Sequence, residues 1–175
     1  MSIEEFWTHI IEDIAVDLAD EFDKNFVRKG FFNKKWKPTN HHNSRGSLML
    51  RTGKLRRSIN LAKGRQTLRF TSSVPYAKLM NEGGVIVVTR KMQKFFWAMF
   101  YETVEKVGKT KKPSKRLNQE ARKWKALALT KVGTKFTIEQ RQYIGWHPQV
   151  DKIVKQNVDF ALKELNKQIL KQLRQ

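Results

Sequence analysis

The chain has 175 residues, a length that suits one domain with a substantial hydrophobic core. It contains no cysteine, which excludes disulfides and thiolate chemistry and agrees with a reducing compartment. The first residues lack the positive charge and apolar run of a signal peptide, and no apolar stretch reaches the roughly 18 residues that cross a bilayer. We therefore expect a soluble, intracellular protein that does not bind a membrane.

The charge is strongly positive and unevenly distributed. The chain has 36 Lys and Arg against 16 Asp and Glu, a net charge of +20. Residues 1–23 hold eight acids and no Lys or Arg, so residues 24–175 hold all 36 bases and the other eight acids, a balance of +28. Such a body attracts nucleic acid or an acidic protein surface. Alternatively, the acidic first segment neutralises a basic face of its own or of a neighbouring subunit, and composition leaves both alternatives open.

The first predicted element is an amphipathic helix from residue 2 to about residue 29. Ser2 and Glu5 have the spacing of a capping box, and Gly30 ends the helix. Its apolar residues recur with the 3.6-residue period of one helix face. They are Ile3, Phe6, Trp7, Ile10, Ile14, Leu18, Phe22 and Phe26.

Residues 30–49 are predicted to form a basic, exposed loop, because they are rich in Asn, Ser, Pro and Gly and contain no acid. Trp36 is either an anchor that fastens this loop to the body or an aromatic contact for a partner. The pair His41-His42 does not predict a metal site, since the chain has no Cys, only two other His, and no acid near the pair.

The next segment predicts a short helical turn followed by a β-hairpin. Thr52 is placed to cap a turn that carries Leu55 inward. Ile59 and Leu61 then alternate as a strand, a turn covers 63–66, and a second strand covers Thr67 to Thr71. We expect an antiparallel hairpin with one solvated face.

The stretch Val74–Tyr101 is predicted to be the centre of the fold. It begins with a turn at Pro75 and a break at Gly83-Gly84. The run from Val85 to Thr89 predicts a strand that is covered on both faces and joins the hairpin in one sheet. The helix that follows has the broadest apolar face of the chain, formed by Met92, Phe95, Phe96, Met99, Phe100 and Thr103.

The remaining chain predicts a second basic loop at 107–114, a helix from Ser114, a strand at Phe136 and Ile138, and a last helix from Pro148. The end of the helix from Ser114 is left open between residues 126 and 130. The fold class is therefore α+β: a small antiparallel sheet of about four strands, flanked by long N-terminal, central and C-terminal helices in a single domain, 1–175.

Enzymatic motifs are missing from the sequence. Gly83-Gly84 stands outside any phosphate-binding loop pattern, and Ser58, Ser72 and Ser73 have no His near them in the sequence. The acids outside the first helix are scattered and form no acid–base pair. We expect a protein that is not an enzyme and uses no cofactor, no metal and no small-molecule substrate.

Five short pieces, in this order, resemble the phage virion morphogenesis, or tail-completion, family of tailed bacteriophages and prophages. The resemblance covers about residues 31–146. Its residues are Phe31, Trp36 and Pro38; Leu50, Thr52, Gly53, Leu55, Arg56, Ser58 and Ile59; Pro75, Tyr76, Ala77, Asn81, Gly83 and Gly84; Thr89, Lys91, Met92, Phe96 and Trp97; and Arg141, Ile144 and Gly145. The chain departs from the family in having Met80 where a His is common, and in lacking a proline between Ile138 and Tyr143.

The resemblance implies a structural protein of the virion, present in the host cytoplasm during assembly, that forms or completes a ring joining head and tail. Its implied partners are further copies of itself, for which tail symmetry suggests six, other head and tail proteins, and packaged DNA bound without sequence preference. The alternative is a free basic nucleic-acid-binding protein.

Two sets of candidate contact residues follow from these hypotheses. Candidates for DNA or partner contact are Arg51, Arg56, Arg57, Lys109, Lys111, Lys112, Lys115 and Arg116. Candidates for a subunit interface or an anchor are Trp36, Tyr76, Asn81 and Arg141. For each basic residue taken singly, an ordinary solvated surface role is the competing interpretation.

Overall fold

A computed structural model describes residues 3–38, 47–109 and 115–173, without the side chains of Ile3 and Arg116. The chain forms two compact units. We call residues 1–82 and 140–175 the terminal unit, and residues 83–139 the middle unit. The structure is 60% helical and 15% strand, with small antiparallel sheets, which confirms the mixed helix-and-strand class. The single domain stays a prediction.

Twelve elements follow one another along the described chain. They are α1 (Ile3–Arg28), β1 (Gly30–Phe31), β2 (Lys34–Lys35), α2 (Lys54–Arg57), β3 (Ile59–Lys63), β4 (Leu68–Ser72), α3 (Ala77–Glu82), β5 (Gly84–Val87), α4 (Arg90–Gly108), α5 (Lys115–Ala128), β6 (Lys135–Ile138) and α6 (Pro148–Leu173). The predicted basic loop 30–49 thus contains the short β1–β2 hairpin, and residues 39–46 lie outside the described part. Residues 107 and 108 belong to α4, while 110–114 are not described.

Helix α1 is the spine of the terminal unit. Its apolar stripe is buried from Ile10 to Phe26, as its period predicts, and Phe26 is fully inaccessible to solvent, whereas Trp7 is 43% exposed. One cluster on this stripe packs against the half-buried face of α6, whose Asn157 donates a hydrogen bond to the Asp17 carboxylate (2.8 Å). A second cluster joins Phe26 to Trp36, Leu55, Val74, Ala77 and Tyr143. The predicted centre, Val74–Tyr101, is instead divided between the two units, so that prediction is wrong.

The predicted sheet of about four strands is also wrong. The described residues form three separate antiparallel pairs, β1–β2, β3–β4 and β5–β6. The β3–β4 hairpin has the predicted position, with Leu61 opposite Phe70. Strand β5 pairs with β6, Ile86 lying opposite Phe136, and does not extend that hairpin. The helices α4 and α5 lie between these strands in the chain, and hydrophobic patterning predicts strands without identifying their partners.

Strand β5 does not have two covered faces. The side chains of Val85 and Val87 are 53% and 46% exposed, while Ile86 is half-buried. The strand ends at Val87, and Thr89 caps α4, its hydroxyl accepting a hydrogen bond from the Met92 N–H (3.2 Å). Only one face of this two-stranded sheet is packed, so every second residue of the aliphatic run is exposed to solvent.

Candidate functional site

Three residues that the sequence pattern singled out, Trp36, Leu55 and Ala77, pack in one cluster with Phe26. Trp36 is 8% exposed, its indole N–H donates to the Gln142 carbonyl (2.7 Å), and its ring packs edge-on against Phe26. Leu55 is buried in the same cluster, as predicted. Within this structure Trp36 therefore serves as the anchor of its loop.

Asn81 and Arg141 join helix α3 to the segment that follows the middle unit. The Asn81 side-chain oxygen accepts hydrogen bonds from the backbone N–H groups of Tyr143 (2.9 Å) and Ile144 (3.2 Å). The Arg141 backbone N–H donates to the Met80 carbonyl (2.8 Å). These three bonds join the residues just before the chain leaves the terminal unit to the residues just after it returns, so they hold these two points together. Tyr76, the fourth interface candidate, is 43% exposed.

Asn25 also takes part in these contacts, and the sequence patterns did not identify it. Its side chain is completely buried on α1. The amide donates to the Tyr143 carbonyl (3.1 Å) and its oxygen accepts from the Phe32 N–H (2.9 Å). A polar residue three positions after Phe22 and next to Phe26, within an apolar stripe, was the available signal, because a buried amide needs partners.

Tyr143 completes this set of contacts. Its ring lies 5.2 Å from that of Phe26, and its hydroxyl donates to the Ala77 carbonyl (3.4 Å). Burial raises the pKa of the Tyr143 phenol, so the group stays a neutral hydrogen-bond donor at physiological pH. We call Asn25, Phe26, Trp36, Asn81 and Tyr143 the junction. Its contacts hold backbone and side-chain groups together within the terminal unit.

The candidate basic residues of the terminal unit differ in their surroundings. Arg51 and Arg57 are exposed, and Arg57 donates to the Thr52 carbonyl (2.8 Å). Arg56 is half-buried and binds both oxygens of Asp23 through its guanidinium. Arg56 is thus neutralised by α1, which leaves Arg51 and Arg57 better placed to meet a partner.

The basic candidates of the middle unit are only partly described. Lys109 is exposed and pairs with Glu105 (2.5 Å) one helical turn earlier. Lys115 is exposed at the start of α5. Lys111 and Lys112 lie outside the described residues, as does the side chain of Arg116.

The acidic face of α1 is largely paired within the terminal unit. At least five of its eight acids contact Lys or Arg there, namely Glu4, Glu12, Asp20, Glu21 and Asp23. Burial pulls the pKa of Glu21 upward, but hydrogen bonds from Arg28 and Lys24 outweigh it, and the net pKa lies below its usual value. The alternative in which α1 neutralises a basic face of its own unit gains support from these pairs.

The described residues contain no candidate metal site and no helix that could span a membrane. In the described ranges, no group of three or more His, Asp or Glu is placed to hold a metal ion, and His41-His42 fall outside them. Across the same part of the chain, no helix has the length and apolar character needed to span a bilayer. Comparison of the chain with protein-family models, with curated proteins and with solved structures gives no match.

Proposed function

We propose that the protein is a structural component of a phage or prophage virion, which forms or completes a ring at the head–tail junction. The observation that carries this proposal is that Trp36, Leu55, Ala77 and Asn81, which match the family pattern, all lie at or beside the junction. Residues that resemble a family and also hold one fold together support a shared architecture. They do not converge on a group of nucleophiles or acids.

Both units carry a net positive charge, and half of the acids of the chain lie in its first 23 residues. The middle unit, residues 83–139, holds 14 Lys and Arg against four Glu, a balance of +10. Residues 1–23 carry eight acids and no base. At least five of these acids are paired within the terminal unit, so attraction between copies would depend on the remaining acids of α1 and the basic surface of a neighbour.

The direct test is removal of the encoding gene from the phage or prophage. We expect particles in which filled heads and tails accumulate separately in electron micrographs, with joining restored by a plasmid copy of the gene. The protein should also be detected by mass spectrometry in purified complete virions. Normal yields of joined, infectious particles without the gene would contradict the proposed function.

The alternative, a free nucleic-acid-binding protein, is favoured by the exposed Arg51 and Arg57. The virion hypothesis expects only weak DNA binding without sequence preference, with an affinity that falls steeply between two salt concentrations, because phosphate contacts release counterions. Arg51→Gln with Arg57→Gln should weaken binding to all duplexes alike, by about tenfold at low salt if both contact phosphate.

The matched control for that titration is Arg69→Gln, which removes one exposed charge from the solvated face of β4. It should have a smaller effect than the pair at positions 51 and 57. Tight, sequence-selective binding by a monomer would favour the free nucleic-acid-binding protein.

A further inference from the structure

We propose that strand β5 of one copy of this chain docks onto the open edge of strand β4 of the next copy. The inference rests on the proposed function and names the contact that would join neighbouring subunits. Each strand belongs to a two-stranded sheet, so among the described residues each has one edge without a strand partner. Such edges are templates for pairing with another chain.

The open edge of β4 carries backbone groups from its core-facing residues. The Gly64 N–H donates to the Thr67 carbonyl (2.8 Å) and the Ser73 N–H donates to the Ser58 carbonyl (3.4 Å), at the two ends of the hairpin. Hydrogen bonding alternates along an antiparallel strand, so the intervening even-numbered residues turn their N–H and C=O groups to the open edge. Those residues are Leu68, Phe70 and Ser72, whose side chains are half-buried.

The open edge of β5 carries backbone groups from its two exposed valines. The Val88 N–H donates to the Thr134 carbonyl (2.9 Å), which directs Val88 toward β6, together with Ile86 by alternation. Val85 and Val87 therefore present their N–H and C=O groups to the open edge. Their side chains are the ones that stand 53% and 46% exposed.

The two edges match in side chains as well as in hydrogen bonds. When outward-facing residues of two antiparallel strands pair, their side chains lie on the same face of the joint sheet. Val85 and Val87 would thus lie beside Leu68 and Phe70. That face of β4 borders an open groove of 430 Å³, whose other apolar walls include Leu18, Phe22 and Trp146. Trp146 is 70% exposed and would be covered by the docked strand.

A second copy is the occupant that the charges favour. Lys135 lies directly opposite Val87 in the β5–β6 register and is exposed on the same face. Two carboxylates border the groove region. Glu82, which also pairs with Lys78 (3.9 Å), lines the adjoining groove that Phe70 borders, and Asp151 accepts a hydrogen bond from the Trp146 indole (3.3 Å). Because the two edges are different surfaces, the contact is head-to-tail, the type that closes into rings when the rotation permits.

The first test compares wild-type protein with an edge variant, Val85→Asp with Val87→Asp, by light scattering and sedimentation over a range of concentrations. We expect the wild type to assemble and the edge variant to need at least about tenfold more protein, because two carboxylates would be buried unpaired. The control is Val132→Asp, an exposed valine (48%) of the same unit outside the strands, which should assemble as the wild type does.

Hydrogen exchange measures the strand pairing itself. The amides of Leu68, Phe70, Val85 and Val87 should exchange fast at low protein concentration and slowly in the assembly. A groove variant, Trp146→Asp, should also fail to assemble alone. Mixed with the edge variant, it should form a one-to-one dimer and nothing larger, since only one intact pair of surfaces remains. Circular dichroism melting checks that both variants are folded.

Three results would overturn the inference: a wild-type chain that stays monomeric at every concentration, an edge variant that assembles like the wild type, or amide protection of both edges that is independent of concentration. The last would mean that the two strands pair within one chain. Each of these outcomes leaves the gene-removal test of the proposed function unaffected, so the two proposals fail separately.

Discussion

Replacing Phe26 by alanine will destabilise the terminal unit by about 3–5 kcal/mol, the usual loss when a buried Phe is truncated. Phe26 is fully buried, its ring lies 6.0 Å from that of Trp36 and 5.2 Å from that of Tyr143. These two neighbours come from separate parts of the chain and are fixed by hydrogen bonds, so they cannot easily close the cavity. The loss therefore includes the cavity as well as the transfer of the ring to water.

Urea unfolding followed by circular dichroism measures this change. The matched control is Phe160→Ala in α6, where the ring is 65% exposed, and we expect it to change the free energy of unfolding by less than about 0.5 kcal/mol. Similar losses for the two substitutions would show that Phe26 is not at the centre of the cooperative core.

Replacing Asn25 by alanine will cost about 2–4 kcal/mol, because it leaves one buried and one partly buried backbone group unpaired, and a fully buried group costs about 1–3 kcal/mol. The two unpaired groups are the Phe32 N–H and the Tyr143 carbonyl. Asn81→Ala will cost a similar amount, since its oxygen serves the N–H groups of Tyr143 and Ile144. Asn166→Ala, at an exposed position of α6, is the control and should have little effect.

The double variant, Asn25→Ala with Asn81→Ala, tests whether the two residues act together or make independent contacts. Asn25 binds the carbonyl of Tyr143 and Asn81 binds its N–H, so the first loss should loosen the residue on which the second depends. We expect the double variant to lose less than the sum of the single losses, by about 0.5–3 kcal/mol. Strict additivity in urea unfolding would contradict the junction as a unit.

The junction gives the proposed assembly a physical basis. It ties Asn81 to Tyr143, the points between which the chain leaves and re-enters the terminal unit. These bonds hold together the two segments of the chain that form the terminal unit. The exposed valines of β5 and the open edge of β4 are the two surfaces that we propose for contact between neighbours.

The amino-acid sequence by itself determined the elements whose signals are local. The period of α1, the inward Leu55, the β3–β4 hairpin and the start of α6 at Pro148 were all predicted at the right positions. Each depends on residues within a few positions of one another, through helix periodicity, capping and strand alternation. The sequence also predicted Trp36, Asn81 and Arg141 as candidates for a subunit interface or an anchor, although not the groups that they contact within the chain.

Only the tertiary structure decided which strands pair and which apolar residues are covered. The run Val85–Thr89 predicts a buried strand. In the structure β5 pairs with β6, which follows it in the sequence after two helices, and Val85 and Val87 are exposed to solvent. Asn25 is an ordinary polar helix residue until Phe32 and Tyr143 are placed beside it. Strand pairing and burial depend on groups that are distant in the chain, and local patterning carries no information about which of them meet.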